Sequence, residues 1–180
     1  MKKLSHDEIA AKRIKLESVD SVKKLPVYVV LNSIRSNYNV GSIFRTSDGA
    51  MIEKLLLCGY TPCPTKKEVL KTALGSTESV KWEYHKDAKL LIQDLKSKGI
   101  KVCALELTDI SIPYYKVNNL TFPLCLVIGN EITGVSQEIL DLCDFSIEIP
   151  QYGIKQSLNV AVAYGIAIFE LRKLYESREN

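Results

Sequence analysis

Apolar and polar positions in this chain switch repeatedly between a strand-like and a helix-like period. Short, nearly unbroken apolar runs at residues 27–31, 54–58, 100–105, 124–128 and 145–149 have the length of strands buried on both faces. Residues 80–84 alternate like one more strand. Residues 86–98 predict an amphipathic helix, with Ala88, Leu91, Ile92 and Leu95 on one face and Gly99 at its end. Further helices are predicted from about residue 39 to 50, over 136–143 and over 157–176. Ser5 and Glu8 are spaced as a capping box and predict a short helix to about Glu17. Residues 60–79, with Pro62 and Pro64, read mostly as loop with a helical piece at 69–74. Strands alternating with helices imply an α/β fold, a mostly parallel sheet with helices on both faces. No repeat or low-complexity linker marks a domain boundary.

Composition narrows the class. A chain of 180 residues suits one domain with a full hydrophobic core. No apolar run reaches membrane-spanning length, so no membrane partner is expected. The first residues, Met1 to Glu8, lack the apolar centre of a secretory signal. Of the cysteines at 58, 63, 103, 125 and 143, Cys58, Cys103 and Cys125 lie in apolar runs and read as buried free thiols. An odd count without a Cys-x-x-Cys pair argues against a disulfide framework and for a cytoplasmic location. His6 and His85 stand apart from any cysteine pair, so no zinc site is expected. The net charge of +3 is unevenly placed. Residues 1–24 hold seven Lys/Arg against four Asp/Glu, and the remaining 156 hold 17 of each sign. Residues 1–24 therefore form a basic N-terminal helical arm ahead of a body at 25–180. Such an arm can attract phosphates irrespective of sequence, or it can be a solvated helix face.

In parallel sheets, ligands bind beyond the carboxyl ends of the strands. Polar blocks fall at four such ends: 32–39, 106–109, 130–134 and 151–157. No GxGxxG or GxxxxGK[ST] run occurs, which weighs against a dinucleotide or P-loop site, and two isolated histidines make a Ser/His/Asp set implausible. The residues themselves thus lead to an α/β protein with a ligand site built from several loops, and no further.

Three blocks carry a resemblance. They are Asn39-x-Gly41-x-x-x-Arg45, then Gly129-x-Glu131-x-x-Gly134, then Ile149-Pro150 followed by Ser157-Leu158-Asn159-Val160-Ala161. In this order they resemble the three motifs of the SPOUT methyltransferases, in particular the TrmH (SpoU) family of RNA ribose 2′-O-methyltransferases. Lys71 to Gly75 is similar to a segment often found between the first two motifs. The likeness runs from about residue 27 to 171, with Thr46-Ser47 a departure where many relatives carry a small residue and alanine. It implies a C-terminal trefoil knot over roughly residues 124–167, which the sequence pattern does not show; topology alone would give an ordinary open sheet, because knots are almost absent from protein folds. It implies S-adenosyl-L-methionine as cofactor, tRNA or rRNA as substrate, no DNA, and a homodimer with active sites near its interface. Because the chain lacks the extra N-terminal RNA-binding domain of some relatives, RNA would be held by the core, the arm or a second subunit.

The resemblance also assigns roles. Leu105, Glu106, Ile128, Gly129, Asn130, Ile149 and Leu158 would surround the cofactor. Arg45, Asn39, Glu131, Ser157 and Asn159 would form the catalytic group. A ribose hydroxyl is a poor nucleophile, and a guanidinium is a poor base, so Arg45 is expected to fork between a phosphate and the developing oxyanion, with a phosphate oxygen or water taking the proton. Asn39 would orient Arg45 or cap its helix; Arg35, in the same loop, would contact an RNA phosphate or be a solvated loop arginine. Glu131 would order its loop, touch RNA, or serve the dipole of the helix at 136–143. Ser157 could simply be the cap of the last helix. Two other readings stand beside this one: an RNA-binding protein that keeps the fold without turnover, and a nucleotide-binding enzyme acting on a small molecule.

Overall fold

The computed structural model describes residues 1–118 and 120–178. Its elements run α1 (His6–Ala10), β1 (Leu25–Asn32), α2 (Asn37–Ala50), β2 (Ile52–Cys58), α3 (Lys67–Ala73), α4 (Ser76–Ser79), β3 (Trp82–His85), α5 (Ala88–Ser97), β4 (Lys101–Leu105), β5 (Ile112–Pro113), β6 (Leu124–Ile128), α6 (Gln137–Leu140), β7 (Phe145–Glu148) and α7 (Val160–Glu176). Seven strands form one sheet in the order β3-β2-β1-β6-β4-β7-β5, and every pairing between these strands is parallel.

Strand alternation divides the core into two layers. Val27, Val29 and Leu31 of β1, with Leu124, Leu126 and Ile128 of β6, face a layer that includes Phe44 of α2 and Tyr164 of α7. Val30, Cys125 and Val127 face the opposite layer, with Leu91, Ile92 and Leu95 of α5 and Ile139 of α6. Cys58, Cys103 and Cys125 are buried and free, as their apolar runs predict. Burial holds the Cys58 thiol up at about 12, so it stays protonated and unreactive.

The α/β class and the order of strands and helices follow the sequence pattern, while several boundaries move. The N-terminal helix has the expected capping box but ends at Ala10, not near Glu17. It buries no residue, and a helix without tertiary support does not propagate. A 3-10 turn at Leu16–Ser18 follows. Asp20 then pairs with Lys81 at 2.9 Å, and the Lys23 ammonium lies 5.6 Å from the Tyr175 ring centre, which fastens the end of this segment to the body. The helical piece expected at 69–74 is α3, and α4 adds a short helix in the rest of the stretch expected to be loop. The last helix begins at Val160, not Ser157, because Asn159 is its cap: the Asn159 side chain accepts from the amides of Ala161 and Val162.

Parallel register brings the site's strand ends together. Leu31 lies beside Ile128, Ala104 beside Val127, and Leu105 beside Ile147. The loops leaving β1, β6, β4 and β7 therefore open along one edge of the sheet.

Candidate functional site

A cleft of about 770 Å³ lies on that edge, within the size range of small-molecule sites. Its walls are Leu105, Glu106 and Leu107 after β4, residues 128–132 and Gly134 around the end of β6, Ile147 to Gln151 at the end of β7, and residues 153–160 leading into α7. The lining combines apolar side chains with a few polar ones, as such sites require.

Two glycines shape the middle wall. A Cβ on Gly129 would run into the backbone of Gly134 and Val135, so this position admits only hydrogen. Gly134 has φ +66°, and a Cβ there would also meet the Glu106 carboxylate. Asn130 and Gly134 bond reciprocally through their backbones, at 3.1 and 2.9 Å, which closes the loop on itself. The Asn130 side chain completes that loop. Its amide nitrogen donates to the Ser33 carbonyl at 2.8 Å and the Tyr60 hydroxyl at 2.7 Å, and its oxygen accepts from the amides of Ile132 and Thr133. Asn130 thus lines the cleft with its polar groups already engaged. Glu106 is less committed. Its two oxygens accept from the amides of Leu107 at 3.1 Å and Val135 at 2.8 Å, which ties the β4 loop to the β6 loop and leaves acceptor capacity facing the cleft.

Glu131 links the cleft to α2. Its carboxylate accepts from the Arg35 amide at 2.8 Å, the Ser36 amide at 3.1 Å and the Asn39 side-chain amide at 2.9 Å. Burial opposes the charge, but the donors at Arg35, Asn39 and Ser36 outweigh it and hold the carboxyl below the usual carboxylate range. The helix it serves is α2, not the one that follows Glu131 in sequence. Asn39 accepts in turn from the Asn159 side-chain amide at 3.1 Å, and Asn159 caps α7. One polar chain, Glu131 to Asn39 to Asn159, therefore joins all three sequence blocks.

Ten of the twelve residues singled out in the sequence line the cleft: Leu105, Glu106, Ile128, Gly129, Asn130, Glu131, Ile149, Ser157, Leu158 and Asn159. Ser157 does so from the exposed loop, not as a helix cap. Asn39 reaches the cleft only through Asn159 and Glu131. Arg45 lies outside the lining, exposed on α2, and its side chain makes no hydrogen bond or ion pair among the described residues. It stands six residues beyond Asn39, a rise of ~9 Å along the helix. The cleft also takes in Ile132, Gln151, Lys155, Gln156 and Ala163, which the sequence reading did not single out. In sequence, loop 151–157 reads only as a polar block, because an irregular segment has no period to tell inward from outward side chains. The departure at Ser47 also has a structural partner: its hydroxyl lies 2.7 Å from the fully buried Tyr164 hydroxyl and joins α2 to α7.

The chain is similar to several known proteins. A tRNA (guanosine(18)-2′-O)-methyltransferase of Aquifex aeolicus is 32% identical over 174 residues, covering 94% of this chain and 80% of that protein. Among solved structures, the Aquifex aeolicus TrmH/SpoU tRNA modifying enzyme aligns with a TM-score of 0.80 at 29% identity, covering 91% of this chain and 84% of that one. The AdoMet-bound rRNA methyltransferase from Sinorhizobium meliloti aligns with a TM-score of 0.77 at 30% identity, covering 84% of this chain and 60% of the other, so this chain spans little more than half of that relative's length. The SpoU rRNA Methylase family matches residues 26–169, and with these three blocks sharing one network at the strand ends, the chain belongs to that family.

Proposed function

We propose that the protein is an S-adenosyl-L-methionine-dependent methyltransferase acting on a ribose 2′-hydroxyl of tRNA or rRNA. The observation that carries this reading is the cleft itself, in which the second and third sequence blocks form the walls and the first is hydrogen-bonded to both. The cleft fits the cofactor in chemistry as well as in size. The close approach of Gly129 to the 134–135 peptide fixes the loop that forms the middle wall, and Glu106 offers acceptors for hydroxyl or amino groups. Leu105, Ile128, Ile149 and Leu158 supply the apolar surface.

When bound, S-adenosyl-L-methionine supplies a methyl group already activated on a sulfonium. The protein's part is to orient the acceptor and stabilise its charge. Arg45 holds an RNA phosphate and the developing oxyanion with its planar fork, and the hydroxyl proton passes to a phosphate oxygen or water. Glu131 and Asn39 fix the start of the helix that carries Arg45. Asn159 fixes the start of α7 beside it, and Ser157 contacts substrate from the loop between.

The same reading includes a trefoil knot over residues 124–167, with the 152–156 segment encircling the chain end. It also includes a homodimer. Exposed Tyr152, Ile154, Val162 and Phe169, on the cleft loop and α7, support a pairing face there. Residues 1–24 act as a separate basic arm, and the protein works in the cytoplasm. No helix among the described residues is long and apolar enough to cross a membrane.

The test is to map 2′-O-methylation in RNA from cells with and without the gene, together with calorimetry of S-adenosylhomocysteine binding. One lost methylated nucleotide and measurable binding are expected. RNA binding without cofactor binding would instead establish the non-catalytic reading. Stabilisation by NAD or ATP, unaffected by RNA, would point to a small-molecule enzyme.

A further inference from the structure

The body beyond residue 24 carries equal numbers of positive and negative residues, yet the fold does not neutralise it evenly. Around α5, four of five lysines meet a carboxylate: Lys89 meets Glu138 at 4.0 Å, Lys96 meets Asp144 at 3.2 Å, Lys98 meets Asp94 at 2.6 Å and Lys101 meets Asp144 at 3.6 Å, and only Lys86 has no ion pair among the described residues. On the opposite face of the sheet the situation reverses. Arg35, Arg45, Lys66, Lys67 and Lys71 are all exposed, and none makes an ion pair among the described residues.

These cations share one surface. Helix α3 packs directly on α2, with Gly41 lying against Thr72 and the Val69 carbonyl. Lys67 and Lys71 stand one turn apart on α3. Glu68, on the same edge, is turned to the Asn37 side chain at 3.4 Å, which places both lysines beside the start of α2, where Arg35 lies. On α2, Tyr38, Ser42 and Arg45 follow at helical spacing, and Tyr38 is 55% exposed. Leu70 and Leu74 leave apolar surface between the cations.

We infer that the α2–α3 face is a track for single-stranded RNA leading to the cleft. The inference rests on the RNA-methylation reading and names the surface that would deliver the substrate. Unpaired cations gain by neutralising phosphates and releasing counterions, whereas cations already paired with carboxylates do not. Tyr38 supplies a ring on which an unpaired base stacks, which duplex RNA does not offer. The track runs from Lys67 and Lys71 past Arg35 to the Glu131 network. A strand lying on it reaches the residues that line the cleft without depending on the N-terminal arm.

The experiment titrates a labelled oligouridine, bulk bacterial tRNA and a DNA duplex by fluorescence anisotropy at several salt concentrations. It compares wild type, Lys67→Glu/Lys71→Glu, and the control Lys89→Glu/Lys98→Glu, which makes the same charge change on the α5 face. The α3 variant should lose about tenfold in oligouridine affinity and flatten the logarithmic salt slope by about 1.5, at ~0.7 per phosphate contact. The control should match wild type in RNA affinity, S-adenosylhomocysteine affinity should hold in both variants, and the melting temperature should hold in the α3 variant, whose lysines have no ion pair to lose. Equal losses in the two variants, or none in the α3 variant while wild type binds RNA, would overturn the track. Tighter wild-type binding to the DNA duplex than to either RNA would overturn the choice of partner. Wild type that binds no RNA would overturn the methylation reading as well.

Discussion

Glu131→Gln tests whether one carboxylate holds the start of α2 in place. In the wild type, one oxygen accepts from the Arg35 amide, and the other accepts from the Ser36 amide and the Asn39 side chain. Glutamine keeps one acceptor. If its oxygen stays on the pair of donors, its NH2 group confronts the Arg35 amide, so one charge-assisted bond becomes a donor–donor contact. A buried bond of that kind is worth about 1.5–3 kcal/mol, and water reaches Glu131, so about 1–2 kcal/mol is expected. For a chain of this size that is a fall of roughly 5 °C in melting temperature. The carboxyl is depressed below its ordinary value of 4.5, so its stabilisation is complete above that pH and is lost as pH falls through the lower folded value. The difference between wild type and Glu131→Gln should therefore be constant near neutrality and close below about pH 4.5. A double-mutant cycle with Asn39→Ala, measured by urea denaturation, should give a coupling of about 0.5–1.5 kcal/mol. An unchanged melting temperature, a coupling below ~0.3 kcal/mol, or a stability difference that grows on acidification would refute the argument.

Other expectations follow from the same geometry. Gly129→Ala forces a methyl group into the 134–135 backbone, so S-adenosylhomocysteine affinity by calorimetry should fall at least about tenfold; wild-type affinity would show that the loop yields. Tyr164→Phe and Ser47→Ala each strand one buried hydroxyl and should cost about 1–2 kcal/mol in chemical denaturation, while the double variant should cost clearly less than their sum. Arg45→Ala should abolish most single-turnover methylation while cofactor affinity holds, because Arg45 lies outside the cleft lining, and Arg45→Lys should rescue little since a point charge cannot reproduce a fork. Removing residues 1–24 should weaken RNA binding and flatten its salt dependence without changing cofactor affinity; unchanged binding across salt concentrations would reduce the arm to a solvated segment.

The apolar runs were enough to determine the strand order along the chain, the helices between them and the α/β class, because alternation and helical spacing record which side of each element is buried. The polar blocks after the strands were legible as a site for the same reason: a parallel sheet puts its loops at one edge. Short pieces were not legible. The two residues of β5 are too few to show a period. Ser157 and Asn159 are both good caps in sequence, and only the path of the chain decided that Asn159 caps α7 while Ser157 stays in the cleft. The same holds for the longest links. Glu131 meets Asn39 across 92 residues, and Asn159 meets Asn39 across 120. Strand order decided these meetings, since β6 inserts beside β1 and carries Glu131 to the start of α2. Charge behaved likewise. Its sum could be read from the chain, but ion pairing depends on which elements become neighbours, so only the fold gathered unpaired cations on α2 and α3. Local spacing reports which face of an element is buried; the partner that covers that face is set by crossovers between distant segments, which no local period encodes.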